Sequence, residues 1–280
     1  MEQKASMSFS NVFDIQEKEV THKCDQHGES QSKIFFLKEK WCASQCSQCI
    51  QDKEDEDLEK LERFKKRELE IGKKSMIESS LGRAMIPARF KDHSFETFLV
   101  QSREQEKKKS YCLNYAEGFD AMLEKGTSVI FCGKTGTGKT HLACAIANYI
   151  IKEKQKTAVF TSVIRAIRQV KDTYSRKNGT TEQEALDWFL DPDLLILDEV
   201  GVQFGTDTEK NILFEILNER YQNMRPTILI SNLEPKELSE FIGDRVVDRM
   251  KDNQGSLLQF EWESYRGKRV ASNDKEGGGA

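Results

Sequence analysis

Gly133-Lys134-Thr135-Gly136-Thr137-Gly138-Lys139-Thr140 fits the phosphate-binding pattern G-x-x-x-x-G-K-[ST] at every fixed position. Before it, Thr127-Ser128-Val129-Ile130-Phe131-Cys132 is an apolar run of strand length; after it, Leu142, Ala143, Ile146, Ala147 and Ile150 recur with helical spacing. The octapeptide therefore joins a buried strand to a helix. Its glycines let backbone N–H groups curl inward toward phosphate oxygens, and the positive end of the helix adds to their pull. Lys139 would reach the β- and γ-phosphates and the Thr140 hydroxyl would ligate Mg²⁺. The expectation is an α/β fold that binds ATP with Mg²⁺ through residues 133 to 140.

A triphosphate site also needs a carboxylate for the metal. Asp193-Leu194-Leu195-Ile196-Leu197-Asp198-Glu199 supplies one at the end of a continuous apolar run, the pattern of a central parallel strand buried on both faces. Asp198 would hold Mg²⁺ directly or through water. Glu199 would orient the attacking water and accept its proton, which predicts hydrolysis as well as binding.

The same alternation continues on either side. Thr157-Ala158-Val159-Phe160-Thr161, Thr227-Ile228-Leu229-Ile230-Ser231 and Leu257-Leu258-Gln259-Phe260 read as further strands with helical patterns between them, giving a five-stranded parallel sheet. Asn232, just past one strand, stands where a polar side chain can hold the lytic water or touch the γ-phosphate, or simply make a turn. Arg245 and Arg249 are one helical turn apart in Gly243-Asp244-Arg245-Val246-Val247-Asp248-Arg249-Met250. An arginine projected into a neighbouring subunit would neutralise charge on the transferred phosphoryl group; a surface ion pair is the other reading. Ile86-Pro87-Ala88-Arg89-Phe90 and Ser94-Phe95-Glu96-Thr97-Phe98 lead into a helix expected over about 104–123, with Phe90 or Phe95 covering the adenine ring or lying in the core.

The chain has 280 residues, with 43 basic and 47 acidic side chains and a formal charge of -4, so any nucleic-acid contact must be local. No apolar stretch approaches the ~20 residues that cross a bilayer, and Met1-Glu2-Gln3-Lys4 opens no signal peptide, so a cytoplasmic protein without membrane contact is expected. Of seven cysteines, four lie between Cys24 and Cys49. Cys24-x-x-His27 and Cys46-x-x-Cys49 are spaced as two zinc knuckles, with Cys42 as the alternative to His27 for the fourth Zn²⁺ ligand. Residues 1–21 read as frayed or weakly helical within a zinc-binding module over 1–50. A charged amphipathic connector helix over 51–84 would carry Leu58, Leu61, Phe64, Leu69, Ile71 and Met76 on one broad face. Residues 85–267 would form the ATPase domain and 268–280 a disordered tail.

The order Gly133 to Thr140, Asp193 to Gly201, Ile230-Ser231-Asn232 and Gly243 to Met250, ending in Trp262-Glu263-Ser264-Tyr265-Arg266, resembles the DnaC-type bacterial and phage replicative helicase loaders of the AAA+ ATPases. The likeness spans about residues 85 to 267, and the Asp248-Arg249-Met250 and Tyr265-Arg266 ends give it its specificity. The resemblance implies an AAA+ P-loop NTPase core without a C-terminal lid. It implies Asn232 as first sensor, Arg249 as an arginine finger acting in trans and Arg266 as second sensor. It further implies weak ATP hydrolysis modulated by DNA or a partner, self-association into a ring or spiral, single-stranded DNA as ligand, and an amino-terminal module gripping a DnaB-type hexameric DNA helicase. On the same grounds Arg165, Arg168, Lys171, Tyr174, Arg176 and Lys177, on a helix whose Ile164, Ile167 and Val170 face inward, would contact DNA, with Tyr174 as a stacking surface; an ordinary solvated face is the other reading. Alternatives to a loader are an IstB-type transposase helper and a nucleotide-gated adaptor without hydrolysis.

Overall fold

A computed structural model describes residues 17–37, 40–43, 46–174, 179, 181–201 and 206–265. The chain divides into two compact units, Met1–Gly72 and Lys73–Ala280.

In the larger unit, β4 (Val129–Gly133), β5 (Ala158–Ser162), β6 (Leu194–Val200), β7 (Thr227–Ser231) and β8 (Ser256–Phe260) form the expected parallel sheet, ordered β5-β6-β7-β4-β8. Side chains alternate across each strand, so one apolar run feeds two cores. Val129 and Phe131 pack with Leu194, Ile196, Ile228 and Ile230 against α2 (Arg103–Glu117) and α4 (Lys139–Lys152). Ile130 and Cys132 pack with Leu195, Leu197 and Leu229 against α5 (Val163–Thr173), α6 (Glu182–Leu190), α7 (Asp207–Gln222), α8 (Pro235–Ile242) and α9 (Asp244–Lys251). Both faces are covered, which is why these strands read as unbroken hydrophobic stretches.

One buried cation ties this layer together. Arg220, on α7, is 1% exposed, and its guanidinium donates to the carbonyls of Phe189, Leu190, Pro192 and Pro226 and to Thr227 Oγ1 at 2.6–3.0 Å. It thus satisfies the carboxyl end of α6 and the entry to β7 in a dry site.

The helix expected over 104–123 is two: α2 ends at Glu117, and α3 (Phe119–Lys125) begins after Gly118, which caps both. Before α2, the lead-in segment wraps α4. Asn148 Nδ2 donates to the carbonyls of Phe90, Lys91 and His93 at 2.8–3.4 Å.

The smaller unit departs further from expectation. Residues 17–21, expected to be frayed or weakly helical, are strand, while 1–16 lie outside the described residues: β1 (Glu17–Cys24) pairs antiparallel with β2 (Gly28–Leu37), and β2 with β3 (Lys40–Ala43). Cys24 sits opposite Gly28, whose φ of 72° lets the hairpin turn. The charged helix is present as α1 (Ser47–Arg83), starting four residues earlier than expected and running past the boundary at Gly72. Its Leu58, Leu61, Phe64, Leu69, Ile71 and Met76 are all exposed. Among the described residues no helix is long and apolar enough to cross a membrane.

Candidate nucleotide site and cysteine cluster

The phosphate loop leaves β4 at Gly133 and enters α4 at Lys139. Gly133, Gly136 and Gly138 have φ of 110°, 78° and 94°, values an L side chain resists. At Gly138 a Cβ would also lie 2.6 Å from Phe98 Cε2, so the lead-in segment presses directly on the loop. Lys139 is buried, with Nζ donating to the Gly133 and Lys134 carbonyls at 2.6 and 2.7 Å. Its ammonium is thereby drawn back over the loop, where the phosphates of a nucleotide would lie.

Thr140 and Asp198 meet: Thr140 Oγ1 donates to Asp198 Oδ2 at 3.0 Å. Burial raises the Asp198 carboxyl above its usual range, partly offset by hydrogen bonds from the Glu199 amide and the Thr140 hydroxyl. A half-buried carboxylate with a hydroxyl beside it is a donor set for a hard divalent cation. These residues fit Mg²⁺.

Glu199 owes its position to a bulge the sequence did not announce. Register runs from Leu197↔Leu229 to Val200↔Ser231, so Asp198 and Glu199 together face Ile230. Glu199 adopts φ 63°, left-handed for a non-glycine, at a cost of order 1–3 kcal/mol. The turn is held by Glu199 N donating to Asp198 Oδ1 at 2.7 Å and Ser231 Oγ donating to the Val200 carbonyl at 2.6 Å. The result separates two adjacent carboxylates: Asp198 at Thr140, Glu199 exposed. Both line one cleft of about 260 Å³ with Thr135, Gly136, Lys139, Asn232 and, from the lead-in, Arg89, Phe90 and His93. Phe90 is thus a wall of the cleft, whereas Phe95, 4% exposed, belongs to the core.

A strap beyond β8 closes over the loop. Trp262 Nε1 donates to the Thr137 carbonyl at 3.0 Å and Tyr265 N to the Gly136 carbonyl at 2.9 Å. Tyr265 Oη donates to the Leu99 carbonyl at 2.6 Å. Arg266, the expected second sensor, lies outside the described residues.

Arg249 is far from this cleft within its own chain. It lines a small cavity with Ser128 and Thr227, at the amino ends of β4 and β7, while the phosphate loop springs from the carboxyl end of β4. Five strand residues at ~3.3 Å each separate the two ends by about 16 Å. Arg249 Nη1 donates to Asn218 Oδ1, and its guanidinium lies 5.3 Å from the Tyr221 ring centroid.

On α5, Val163, Ala166, Ile167 and Val170 are buried, while Ile164, expected inward, is only half-buried. Arg165 and Arg168 are exposed and line a groove of about 430 Å³ with Asp172, Glu184 and Trp188. Lys171 pairs with Glu209 at 3.0 Å, and Tyr174 Oη donates to Glu182 at 2.7 Å. Arg176 and Lys177 lie outside the described residues.

In the smaller unit, Cys24, His27, Cys46 and Cys49 converge, their ligand atoms all within 4.8 Å of one another. Cys24 Sγ is 3.6 Å from Cys49 Sγ, and His27 Nδ1 is 3.7, 3.8 and 3.4 Å from the sulfurs of Cys24, Cys46 and Cys49. A tetrahedral Zn²⁺ with bonds of about 2.0–2.3 Å spaces its ligands about 3.5–3.8 Å apart, so three thiols and one imidazole fit zinc. Backbone amides of Gln26 and His27 hold the Cys24 thiol below its ordinary pKa. Asp52 Oδ2 accepts from His27 Nε2 at 2.8 Å, leaving Nδ1 for the metal. Asp52 escaped the sequence reading because it is one acid among many at the start of α1. Cys42, the alternative ligand, is on β3, and its side chain lies outside those described.

Comparison with known proteins accords with this geometry. The profile of the family described as "IstB-like ATP binding protein" matches residues 40–272. The chain is 34% identical over 206 residues to the replicative helicase loader DnaC of Buchnera aphidicola subsp. Baizongia pistaciae, covering 74% of this chain and 82% of the relative. Identity to DnaC of Escherichia coli K12 is 37% over 173 residues, 62% of this chain and 69% of the relative. The crystal structure of the DnaC helicase loader superposes with a TM-score of 0.56 at 23% identity, over 62% of this chain and 99% of that one. AMPPCP-bound DnaA from Aquifex aeolicus superposes at 0.51 and 24% identity, over 61% of this chain and 50% of that one. The chain therefore belongs to the IstB-like ATP-binding proteins of the AAA+ class and, within them, to the DnaC-type replicative helicase loaders.

Proposed function

We propose that this protein is an ATP-dependent loader that places a hexameric, DnaB-type replicative helicase on single-stranded DNA in the cytoplasm. The observation that carries the proposal is a complete phosphate and metal cleft in a chain 34–37% identical to DnaC loaders. In this reading residues 133 to 140 and Asp198 hold ATP and Mg²⁺. Glu199 and Asn232 orient water, Arg266 senses nucleotide, and hydrolysis is weak until DNA or helicase is present. Arg249, a strand's length from its own phosphate loop, serves a neighbouring subunit, so the active unit is a ring or spiral. Residues 1–50, built around Zn²⁺, and the connector helix grip the helicase, while 85–267 act as the ATPase domain.

For DNA the support narrows to Arg165 and Arg168, whose guanidinium groups are exposed, since Lys171 and Tyr174 are engaged by Glu209 and Glu182. Trp188, 41% exposed in the same groove, is the better stacking surface there.

The test is co-purification of the full chain with the host's replicative helicase, with and without residues 1–80. Retention that requires residues 1–80 supports the reading; a full chain that binds no replicative helicase refutes it.

A further inference from the structure

Arg249 does not hang free at the subunit surface. Its Nη1 donates to Asn218 Oδ1 and its guanidinium stacks over Tyr221, and Asn218 and Tyr221 are three residues apart on one face of α7. Tyr221 is itself tied down. Its hydroxyl donates to Asp252 Oδ2 at 2.9 Å, and Asp252 N closes α9 on the Asp248 and Arg249 carbonyls at 3.1 and 3.2 Å. The three side chains and the end of α9 form a closed loop of contacts, from Arg249 to Asn218 and Tyr221, to Asp252, and back to the Arg249 carbonyl.

The chemistry of this cradle is selective. Asn218 offers one neutral acceptor, which fixes one edge of the guanidinium without discharging it, and the Tyr221 face orients the plane without using any N–H. An aspartate at 218 would make a bidentate ion pair and hold the arginine at home. The pattern suits a guanidinium that must be aimed yet remain free to bind a second, stronger anion.

We propose that Asn218 and Tyr221 are positioning residues that present Arg249 to the triphosphate of the neighbouring subunit. Asp252, through the Tyr221 hydroxyl, couples that presentation to the carboxyl end of α9. The proposal rests on the reading that Arg249 acts in trans, and its test separates the two.

ATP turnover of the full chain, measured with single-stranded DNA and helicase present, is compared for Arg249→Ala, Asn218→Asp, Asn218→Ala and Tyr221→Leu, with Tyr221→Phe as the conservative control. Arg249→Ala should abolish stimulated turnover. Asn218→Asp and Tyr221→Leu should lower kcat by about tenfold, the weight of one charge-assisted hydrogen bond, with KM for ATP unchanged. Tyr221→Phe should fall between these and wild type. Thermal stability discriminates further: Asn218→Asp should melt no lower than wild type while turning over more slowly, a combination a structural role would not give. In equal mixtures, a Lys139→Ala subunit that also carries Asn218→Asp should slow the wild-type sites beside it more than Lys139→Ala alone does.

If Arg249→Ala keeps full turnover, the reading of Arg249 in trans is wrong and the cradle falls with it. If Arg249→Ala is inactive while Asn218→Asp, Asn218→Ala and Tyr221→Leu all turn over normally, the cradle alone is wrong. Should Asn218→Asp fold poorly, Asn218→Ala and Tyr221→Leu carry the test by the same kcat criterion.

Discussion

Replacing Asp52 by alanine removes no zinc ligand, yet should weaken the metal site. In the structure His27 Nε2 donates to Asp52 Oδ2 at 2.8 Å, which leaves the lone pair on Nδ1, the atom 3.4–3.8 Å from the three sulfurs. Without Asp52 the imidazole loses its fixed tautomer and orientation, and zinc affinity should drop about 10–100-fold, or about 1.4–2.7 kcal/mol. Replacing His27 by alanine removes a ligand outright and should cost more. Competition with a chromophoric chelator measures both on the full chain. Because structural zinc contributes of order 10 kcal/mol to folding, stripping the metal should unfold residues 17–50 while nucleotide binding at 133–140 persists. A purified chain without stoichiometric zinc, or an Asp52→Ala chain that holds zinc as tightly as wild type, would refute this role for Asp52.

The nucleotide site gives further expectations. Glu199→Gln should cut turnover about 10²–10⁴-fold, measured by phosphate release, with ATP affinity retained. Asp198 has its folded-state pKa raised by burial, so the folded chain holds more protons than the unfolded one between the two pKa values, and stability falls as pH rises through that window. Asp198→Asn should therefore raise the melting midpoint at neutral pH without Mg²⁺, flatten its pH dependence there, and lose the stabilisation by ATP with Mg²⁺ expected of the wild type. Arg220→Met would strand the four carbonyls its guanidinium satisfies, at a cost of ~3–5 kcal/mol, lowering the ATPase unit's melting midpoint by roughly 10 °C.

What the sequence disclosed was whatever is encoded by spacing. The phosphate loop is eight consecutive residues, and the central strands are runs too apolar to lie anywhere but between two helical layers, so both could be read off directly. Two knuckles with pairwise spacing pointed to the cysteine cluster for the same reason. Features made by contacts between distant segments stayed silent. The bulge that turns Glu199 depends on register against β7, and the strap that fixes the phosphate loop joins Trp262 to Thr137 across 125 positions. The sheet that begins at Glu17 was missed because its first turn is shared with a metal knuckle, β1 carries alternating charges, and the one apolar run, Ile34 to Leu37, is only four residues long. Tyr174 read as a free stacking surface only because Glu182, its partner, lies on the next helix.

A loader must place a closed ring on DNA that offers it no end. The replicative helicase is offered to closed circular single-stranded DNA, which has no end for a preformed hexameric ring to thread, and helicase retained on the circle is measured with and without this protein and ATP. Retention should rise sharply with both present and fall back with Lys139→Ala. Retention that does not change on adding the protein and ATP, although the helicase translocates on linear DNA in the same buffer, would contradict the loader role.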